Sequence, residues 1–310
     1  MVDFSNPQTP RRLYPMDWVV IGYSLLMIIV IVILGRPLSQ YYGEIIFYAF
    51  AAGLAAVIAH YLSDRRTRTE AFFRLLYPAI MFTFFYRATG GLMFLLSDHF
   101  YDFQLTAFEA AVLGVNPTLF IDTHWLNPWI TELLSFCYFM YYPMIPVFLL
   151  VLFFKRRDEI IRSSVTAMSV TFFFSYMLFF IYPIEGPRWH FASLYQHQIT
   201  GFIFRPAIDF VMKTGAVHGG CVPSTHFAVA LVIVLYCYKY FRPVSRWLLP
   251  VVIGLGLGTV WGRFHYVSDV IVGCIIAVSA TGLVMHFYGR WSGSAGVNVA
   301  EESHDFNRVS

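Results

Sequence analysis

An all-α integral membrane fold is the architecture that this sequence predicts, and its composition and long apolar runs predict it. Hydrophobic residues make up 58% of the 310-residue chain, and charged residues make up only 13%. Because a soluble domain carries roughly 25% charged residues, this balance indicates that most of the chain lies in lipid. The 32 Phe and 20 Tyr residues suit packing between helices and the aromatic belts at membrane interfaces.

About eight apolar segments have the roughly 20 residues that a helix needs to cross a bilayer. They are predicted near residues 18–35, 44–62, 72–96, 129–154, 164–183, 224–241, 246–262 and 266–288. Most of the 21 Lys and Arg residues fall in the connections on one side, which are residues 1–17, 63–74, 155–163, 239–246 and 289–310. The positive-inside rule therefore predicts that both termini are cytoplasmic.

The opposite, extracytoplasmic side receives two long loops, residues 97–128 and 184–223. Within the first loop, residues 103–113 have the pattern of a short amphipathic helix that Gly114 ends. We expect this helix to lie flat at the membrane interface. Arg87 lies inside the third predicted span and needs a partner, for which Asp98 or Asp102 is expected.

Two histidines and an aspartate at the ends of apolar helices are the strongest functional signal. His226 precedes the apolar run 227–238, and His265 and Asp269 stand four residues apart where the last span begins. This spacing puts the imidazole and the carboxylate on one helix face, so that the carboxylate can accept one ring N–H and leave the other nitrogen free. Ionisable groups at membrane depth are usually functional. We therefore predict that His226, His265 and Asp269 are catalytic, as acid, nucleophile or base, and orienting group.

Anion-binding groups surround these three residues in the sequence. Ser224 and the amides after it open a helix, and Gly219 and Gly220 just before it would let the backbone approach an anion closely. Arg263, before His265, and Arg188, after the fifth span, are candidates to hold phosphate oxygens. The alternatives are a helix N-cap for Ser224 and interfacial anchors for the two arginines.

Neither a metal nor a cofactor is expected. The four cysteines, Cys137, Cys221, Cys237 and Cys274, form no disulfide framework and no CxxC pair. The spacing of Cys221 from the histidines on its side of the membrane matches no zinc-ligand pattern. The net charge of +3 is small and spread along the chain, which argues against nucleic acid as a partner.

These motifs resemble those of the type 2 phosphatidic acid phosphatase superfamily of lipid phosphatases and phosphotransferases. That family has Pro-Ser-Gly-His in one motif and His-x3-Asp in another, and residues 223–226 and 265–269 correspond to them. The resemblance covers roughly residues 70–290. It implies a six-helix catalytic core, a phosphohistidine intermediate on His265, a relay through Asp269, acid catalysis by His226, and no metal.

The chain also departs from that family's pattern. The replacements are Gln198 for the Lys of Lys-x6-Arg-Pro, Thr225 for the motif Gly, and Gly258 and Thr259 for Ser-Arg. The family roles of the missing Lys and Arg pass to Arg188 and Arg263 by inference only. Residues 113–118, 186–189 and 263–269 resemble the inositol phosphorylceramide synthase (aureobasidin-target) branch, and this resemblance favours headgroup transfer over hydrolysis.

Three regions are expected along the chain. Residues 1–70 form the N-terminal tail and two accessory helices, residues 71–290 form the membrane catalytic domain, and residues 291–310 form a disordered cytoplasmic tail. The apolar run after Arg11 and Arg12 is too long for a signal peptide, so no cleaved leader is expected.

The leading hypothesis is a multi-pass lipid phosphotransferase or phosphatase with its site on the periplasmic, extracellular or organelle-lumen side. It would act on a phospholipid or lipid phosphate, with a lipid alcohol as a possible acceptor. One alternative is a simple lipid phosphate hydrolase. Two others are a proton-coupled transporter, which predicts ionisable groups staggered through the bilayer, and a non-catalytic lipid-binding scaffold.

Overall fold

The computed structural model describes residues 13–62 and 67–291, and all regular structure in these two ranges is helical. The α-helices are α1 (Pro15–Leu34), α2 (Tyr42–Tyr61), α3 (Arg68–Thr89), α4 (Asp102–Leu113), α5 (Pro117–His124), α6 (Pro128–Phe139), α7 (Tyr141–Phe154), α8 (Asp158–Ile181), α9 (Pro187–His190), α10 (Phe204–Gly215), α11 (Thr225–Tyr240), α12 (Arg242–Trp261) and α13 (Val267–Trp291). The predicted all-α fold is confirmed in these ranges. The predicted tail, apart from Trp291, and the pair Arg11 and Arg12 lie outside the described residues.

Six helical stretches are long and apolar enough to cross a membrane. They are Pro15–Leu34, Leu38–Tyr61, Pro128–Phe154, Asp158–Ile181, Arg242–Trp261 and Val267–Trp291. The other two predicted spans also form helices, but α3 contains Arg68, Glu70, Arg74 and Arg87, and α11 has only 16 residues. A multi-pass membrane protein is therefore supported, while the count of eight spans stays a prediction.

Helices α8 and α11 form the centre of the bundle. Helix α8 packs against α1, α3, α7, α11 and α13, and α11 also contacts α7, α12 and α13. Hydroxyl groups along α8 donate to carbonyls one turn earlier, such as Ser169 to Val165 at 2.8 Å and Ser175 to Thr171 at 2.7 Å. These bonds satisfy polar groups within the helix, which a lipid environment requires.

The first two helices attach to the bundle through α1, which packs on α2 and α8. Asp17, in the first turn of α1, is completely buried and forms a bidentate ion pair with Arg74. The Tyr77 hydroxyl donates to the same carboxylate at 2.8 Å. The backbone N–H of Tyr14 is a further donor, at 2.6 Å. Because Arg74 and Tyr77 of α3 both donate to this buried carboxylate of α1, the contact fixes α1 against α3. A domain boundary at residue 70 stays a prediction.

Helix α4 confirms the amphipathic segment predicted at residues 103–113, and its polar face points inward. It ends at Gly114, whose φ of +76° is the left-handed conformation that glycine adopts at helix ends. The buried side chains are Asp102, Thr106 and Glu109, whereas Phe103, Phe108 and Val112 are exposed. An outward apolar face suits a helix at the lipid interface, and that location stays a prediction.

The partner predicted for Arg87 is wrong. Its guanidinium donates to the carbonyl oxygen of Gly215 at 3.3 Å. Asp98 instead pairs with the neighbouring His99, and Asp102 accepts hydrogen bonds elsewhere. Both carboxylates have nearer donors than the guanidinium of Arg87.

Candidate active site

His265 and Asp269 meet where α13 begins. The amides of Phe264 and His265 both donate to the carbonyl of Thr259, at 2.8 and 3.1 Å, and so fix the turn after α12. His265 Nδ1 lies 3.2 Å from Asp269 Oδ2, so the contact predicted from the four-residue spacing is present. The backbone N–H of Tyr266 donates to the same oxygen at 2.8 Å. The carboxylate thus engages Nδ1 and leaves Nε2 of His265 available for chemistry.

Cys221 is a third partner of this carboxylate. Its thiol donates to Asp269 Oδ2 at 2.9 Å and lies 3.4 Å from His265 Nδ1. Burial is the main cause that raises the pKa of the Cys221 thiol well above its ordinary value, and the nearby negative charge of Asp269 raises it further. The group therefore stays a neutral donor. Asp269 Oδ1, by contrast, is buried with no hydrogen-bond partner in the described part of the chain.

His226 stands in the first turn of α11, next to α13. The N–H of Ser224 donates to the backbone carbonyl of Asp269 at 3.0 Å and joins the beginnings of the two helices. The His226 ring is half-buried and packs against the rings of Tyr138 and Tyr141, at centroid distances of 5.5 and 4.5 Å. Tertiary contacts, and not local sequence, therefore orient this imidazole.

A cavity of about 470 Å³ brings the two histidines together. His226, His265 and Cys221 all line it, and Asp269 lies behind His265. Gly219 and Gly220 form another part of the wall, with φ values of +86° and +65° that favour glycine. The structure thus places the three predicted catalytic residues at one cavity, with the aspartate reached through His265.

Arg188 is the predicted phosphate-binding arginine that lies on this cavity. Its guanidinium carbon is 5.1 Å from the Trp189 ring centre, and it pairs with no carboxylate among the described residues. Asp102 fixes the preceding segment, because it accepts the amides of Glu185 and Gly186 at 2.7 and 2.9 Å. Asp102 also accepts the hydroxyl of Tyr266 at 2.8 Å, so one carboxylate positions both Arg188 and the turn at His265.

The structure does not bring Arg263 to the cavity. Its Nη2 donates to Asp122 Oδ1 at 2.5 Å and to the carbonyl of His197 at 2.7 Å, and the guanidinium stacks 3.6 Å from the Tyr195 ring centre. Asp122 is buried and also accepts the amide of Gln196 at 2.8 Å. A buried carboxylate that needs a cation therefore holds Arg263. Phosphate binding by Arg263 stays a prediction that requires this ion pair to open.

Ser224 lies beside the cavity and not on its wall. Its side chain is completely buried, and its hydroxyl has no hydrogen-bond partner among the described residues. It occupies the N-cap position of α11, yet the side chain makes no capping hydrogen bond. Its amide is engaged by Asp269, so phosphate contact through Ser224 stays a prediction.

Further carboxylates that the sequence reasoning did not assign hold the elements around the site. Glu109 accepts the amide and the hydroxyl of Ser268 at 2.6 and 2.8 Å, where α13 begins. Burial raises the pKa of Glu109, against the opposing effect of those hydrogen bonds. Glu132 accepts the amides of residues 202–205 at the start of α10. The seven-residue spacing of Asp102 and Glu109, which puts them on one face of α4, was the signal available in the sequence.

The fold and this site define a multi-pass helical membrane protein with a histidine–aspartate pair and a second histidine at one cavity. The sequence model of the PAP2 superfamily matches residues 104–283, more than half of the chain, and the chain belongs to this superfamily. No curated protein and no solved structure matches the chain significantly. Membership supports a membrane lipid phosphatase or phosphotransferase as the class of activity. The inositol phosphorylceramide synthase branch stays a prediction.

Proposed function

We propose that this chain transfers a phosphoryl group from a phospholipid or lipid phosphate through a phosphohistidine on His265. One observation carries the proposal. His265 is oriented through Nδ1 by Asp269 and lines the same cavity as His226 and Arg188, which pairs with no carboxylate in residues 13–62 and 67–291. A nucleophile, a proton donor and an anion-binding group are the three parts that such a transfer needs.

The first half-reaction forms a bond between His265 Nε2 and phosphorus. Asp269 holds the proton on Nδ1, so that the Nε2 lone pair is free to attack. As the P–N bond forms, the bond from phosphorus to the leaving alcohol oxygen breaks, and protonated His226 gives its proton to that oxygen. The positive charge that develops on the His265 ring is balanced by the buried carboxylate of Asp269.

The second half-reaction releases the phosphoryl group. Water or a lipid alcohol gives its proton to neutral His226 and attacks phosphorus, and the P–N bond to His265 breaks. With water the outcome is hydrolysis, and with a lipid alcohol it is headgroup transfer. The resemblance of residues 263–269 to the synthase branch favours transfer, and simple lipid phosphate hydrolysis is the alternative.

Arg188 is the cation that we assign to the non-bridging phosphate oxygens. It lines the cavity, and no described carboxylate neutralises it. A guanidinium can donate two parallel hydrogen bonds to phosphate. Arg263 and Ser224 support the wall of the site, through Asp122 and through the backbone of Asp269 respectively.

We further propose that the site faces the extracytoplasmic side and that both termini are cytoplasmic. The distribution of Lys and Arg among the connections supports this orientation. Residues 71–290 form the proposed catalytic domain, and α1 and α2 are additions to it. The contact of α1 with the central helix α8 supports a role in bundle stability.

The test is turnover by the purified protein in detergent against phosphatidyl lipids and lipid phosphates. Reactions would run with and without ceramide or diacylglycerol, and in EDTA, which we expect to leave the rate unchanged. The His265→Ala variant is the test and His124→Ala, an exposed histidine off this cavity, is the control. Wild-type turnover in His265→Ala would refute the mechanism. A proton flux coupled to substrate in liposomes, without turnover, would favour a transporter.

A further inference from the structure

Three buried side chains of the candidate active site direct a sulfur, a nitrogen and an oxygen atom towards one another. They are Cys221, His265 and Asp269, and their metal-ligating atoms all lie within 4.8 Å of one another. Cys221 Sγ is 2.9 Å from Asp269 Oδ2 and 3.4 Å from His265 Nδ1, and the last two atoms are 3.2 Å apart. Cys221 stands 44 residues before His265 in the chain, so the fold assembles this set and the sequence spacing does not show it.

The size of this triangle of atoms is close to one face of a tetrahedral zinc site. Zinc binds sulfur at about 2.3 Å and imidazole nitrogen or carboxylate oxygen at about 2.0–2.2 Å, which places neighbouring ligand atoms roughly 3.3–3.7 Å apart. The separation of Cys221 Sγ from Asp269 Oδ2 has to widen by about 0.6 Å, as an ion replaces the hydrogen bond between them. The other two separations are within about 0.3 Å of the tetrahedral values.

Charge balance favours a divalent cation at this point. Asp269 is completely buried, and its Oδ1 has no hydrogen-bond partner in residues 13–62 and 67–291. A carboxylate, a thiolate and a neutral imidazole together carry two negative charges, so a divalent ion with these three ligands forms a neutral complex. A neutral complex avoids the large cost of an unbalanced charge in a buried site.

An ion can reach these ligands through the cavity. Cys221 and His265 both line it, and Asp269 lies behind His265. The backbone carbonyl oxygen of Phe264 is 3.2 Å from Cys221 Sγ, and either this oxygen or a water molecule from the cavity can complete the four ligands. The set of donors therefore has an entrance and a source for its fourth member.

We infer that Cys221, His265 and Asp269 form an inhibitory site for a divalent cation that accepts sulfur ligands, of which Zn²⁺ fits best. The proposed reaction uses no metal, and the inhibitory effect of the ion, though not its binding, rests on that proposed function. The ion displaces the thiol proton and the proton on His265 Nδ1, and both leave to water. With the ion bound, Asp269 no longer balances the positive charge that develops on the His265 ring during attack on phosphorus, so the phosphohistidine does not form.

Inhibition at buffered concentrations of free metal tests the site. Zn²⁺ and Cd²⁺ should inhibit turnover of phosphatidic acid, whereas Mg²⁺ and Ca²⁺, which prefer oxygen ligands, should not. Cys221→Ala should raise the zinc concentration for half-inhibition at least about tenfold, because loss of even a residue behind a metal ligand costs about 10–100-fold in affinity. Each variant is compared with its own metal-free rate, since Cys221 also contacts Asp269.

Cys237→Ala is the matched control, because Cys237 is a buried cysteine of α11 that does not line the cavity. It should keep the zinc sensitivity of the wild type. Capture of the metal by the substrate would affect both variants alike. Equal zinc sensitivity of Cys221→Ala and the wild type would overturn the inference. Cys221→Ser is the second variant, in case Cys221→Ala does not fold.

Cadmium absorption tests the site without turnover. A bond between Cd²⁺ and a thiolate gives an ultraviolet charge-transfer band, which should appear in the wild type and in Cys237→Ala and be lost in Cys221→Ala. In His265→Ala the cadmium concentration at the midpoint of the titration should rise at least about tenfold. A band that is unchanged in Cys221→Ala would refute the site. A wild type that shows the band but turns over no lipid would keep the metal site and reject the proposed function.

Discussion

Two completely buried aspartates lie towards opposite ends of the central helix α8, and they differ in the partners they have. Asp17 accepts from Arg74, Tyr77 and the amide of Tyr14, so a permanent cation and two neutral donors saturate it. Asp269 has no arginine or lysine partner among the described residues. Its Oδ2 receives His265 and two neutral donors, and its Oδ1 receives none.

This difference separates a structural charge from a functional one. A buried carboxylate with a fixed guanidinium stays in a single charge state and holds two helices together. The charge of a histidine ring can change, so a buried carboxylate paired with a histidine can stabilise the ring when it becomes positive. Here that ring lines a cavity. Burial alone does not distinguish Asp17 from Asp269, whereas the identity of the partner does.

Of the two aspartates, Asp269 is expected to have the larger effect on activity. Asp269→Asn keeps the shape of the side chain but removes its charge and releases the tautomer of His265. We expect turnover to fall on the order of 10³- to 10⁴-fold while the protein folds normally, as for an orienting aspartate in a triad. Initial rates together with thermal unfolding would measure this. A loss below tenfold would contradict the relay.

The opposite pattern is expected at Asp17. Removing one member of a buried ion pair leaves an uncompensated charge, so Arg74→Ala should destabilise the fold by about 3–5 kcal/mol. Activity per folded molecule should remain near that of the wild type, because neither Asp17 nor Arg74 lines the cavity. Denaturation in mild detergent would measure the loss. The double variant Asp17→Leu/Arg74→Leu, which removes both charges, should recover stability, and its failure to do so would argue for a specific polar role.

How far the sequence predicts this site depends on how local each contact is. The His265–Asp269 contact spans four residues of one helix and follows from periodicity. The contacts of Asp102 with Tyr266 and of Asp122 with Arg263 span 164 and 141 residues. Sequence patterns show which faces are polar, not which faces meet. The closeness of Arg263 to His265 in the chain predicts phosphate binding, which stays a prediction, whereas the contact of Arg263 with Asp122 is one that no local pattern predicts.

The same limit applies to the fold. The length of an apolar run predicts the helices well, because most residues of each predicted span belong to an observed helix. The count of membrane crossings is harder, because α3 mixes charged and apolar side chains and the charge of its Arg74 is compensated by Asp17 of another helix. Composition within one segment does not contain that partner.

An intermediate effect is expected at Arg188. If it holds the phosphate, Arg188→Ala removes charge-assisted hydrogen bonds that contribute about 1.5–3 kcal/mol, which corresponds to a loss of kcat/KM of roughly 10- to 150-fold. Arg188→Lys should recover only part of the loss, since an ammonium group does not form the two-pronged contact. Arg263→Lys is the comparison, and it should change stability more than kcat/KM. The reverse ranking would move the phosphate site to Arg263.

The smallest effect is expected at Cys221, which shares Asp269 Oδ2 with His265. Cys221→Ala removes one neutral donor from a carboxylate that keeps two others, a change of about 0.5–1.5 kcal/mol, so kcat should change by roughly 2- to 12-fold. Because burial raises the pKa of the thiol, the reactive thiolate is absent at neutral pH and forms only as the pH rises above the usual range of cysteine. Alkylation of Cys221 should therefore remain slow through pH 8, measured by mass spectrometry against the less buried Cys274. Rapid modification at neutral pH would show that the thiol of Cys221 does not donate a hydrogen bond to Asp269. The difference between the partners of Asp269 and those of Asp17 would then depend on His265 alone.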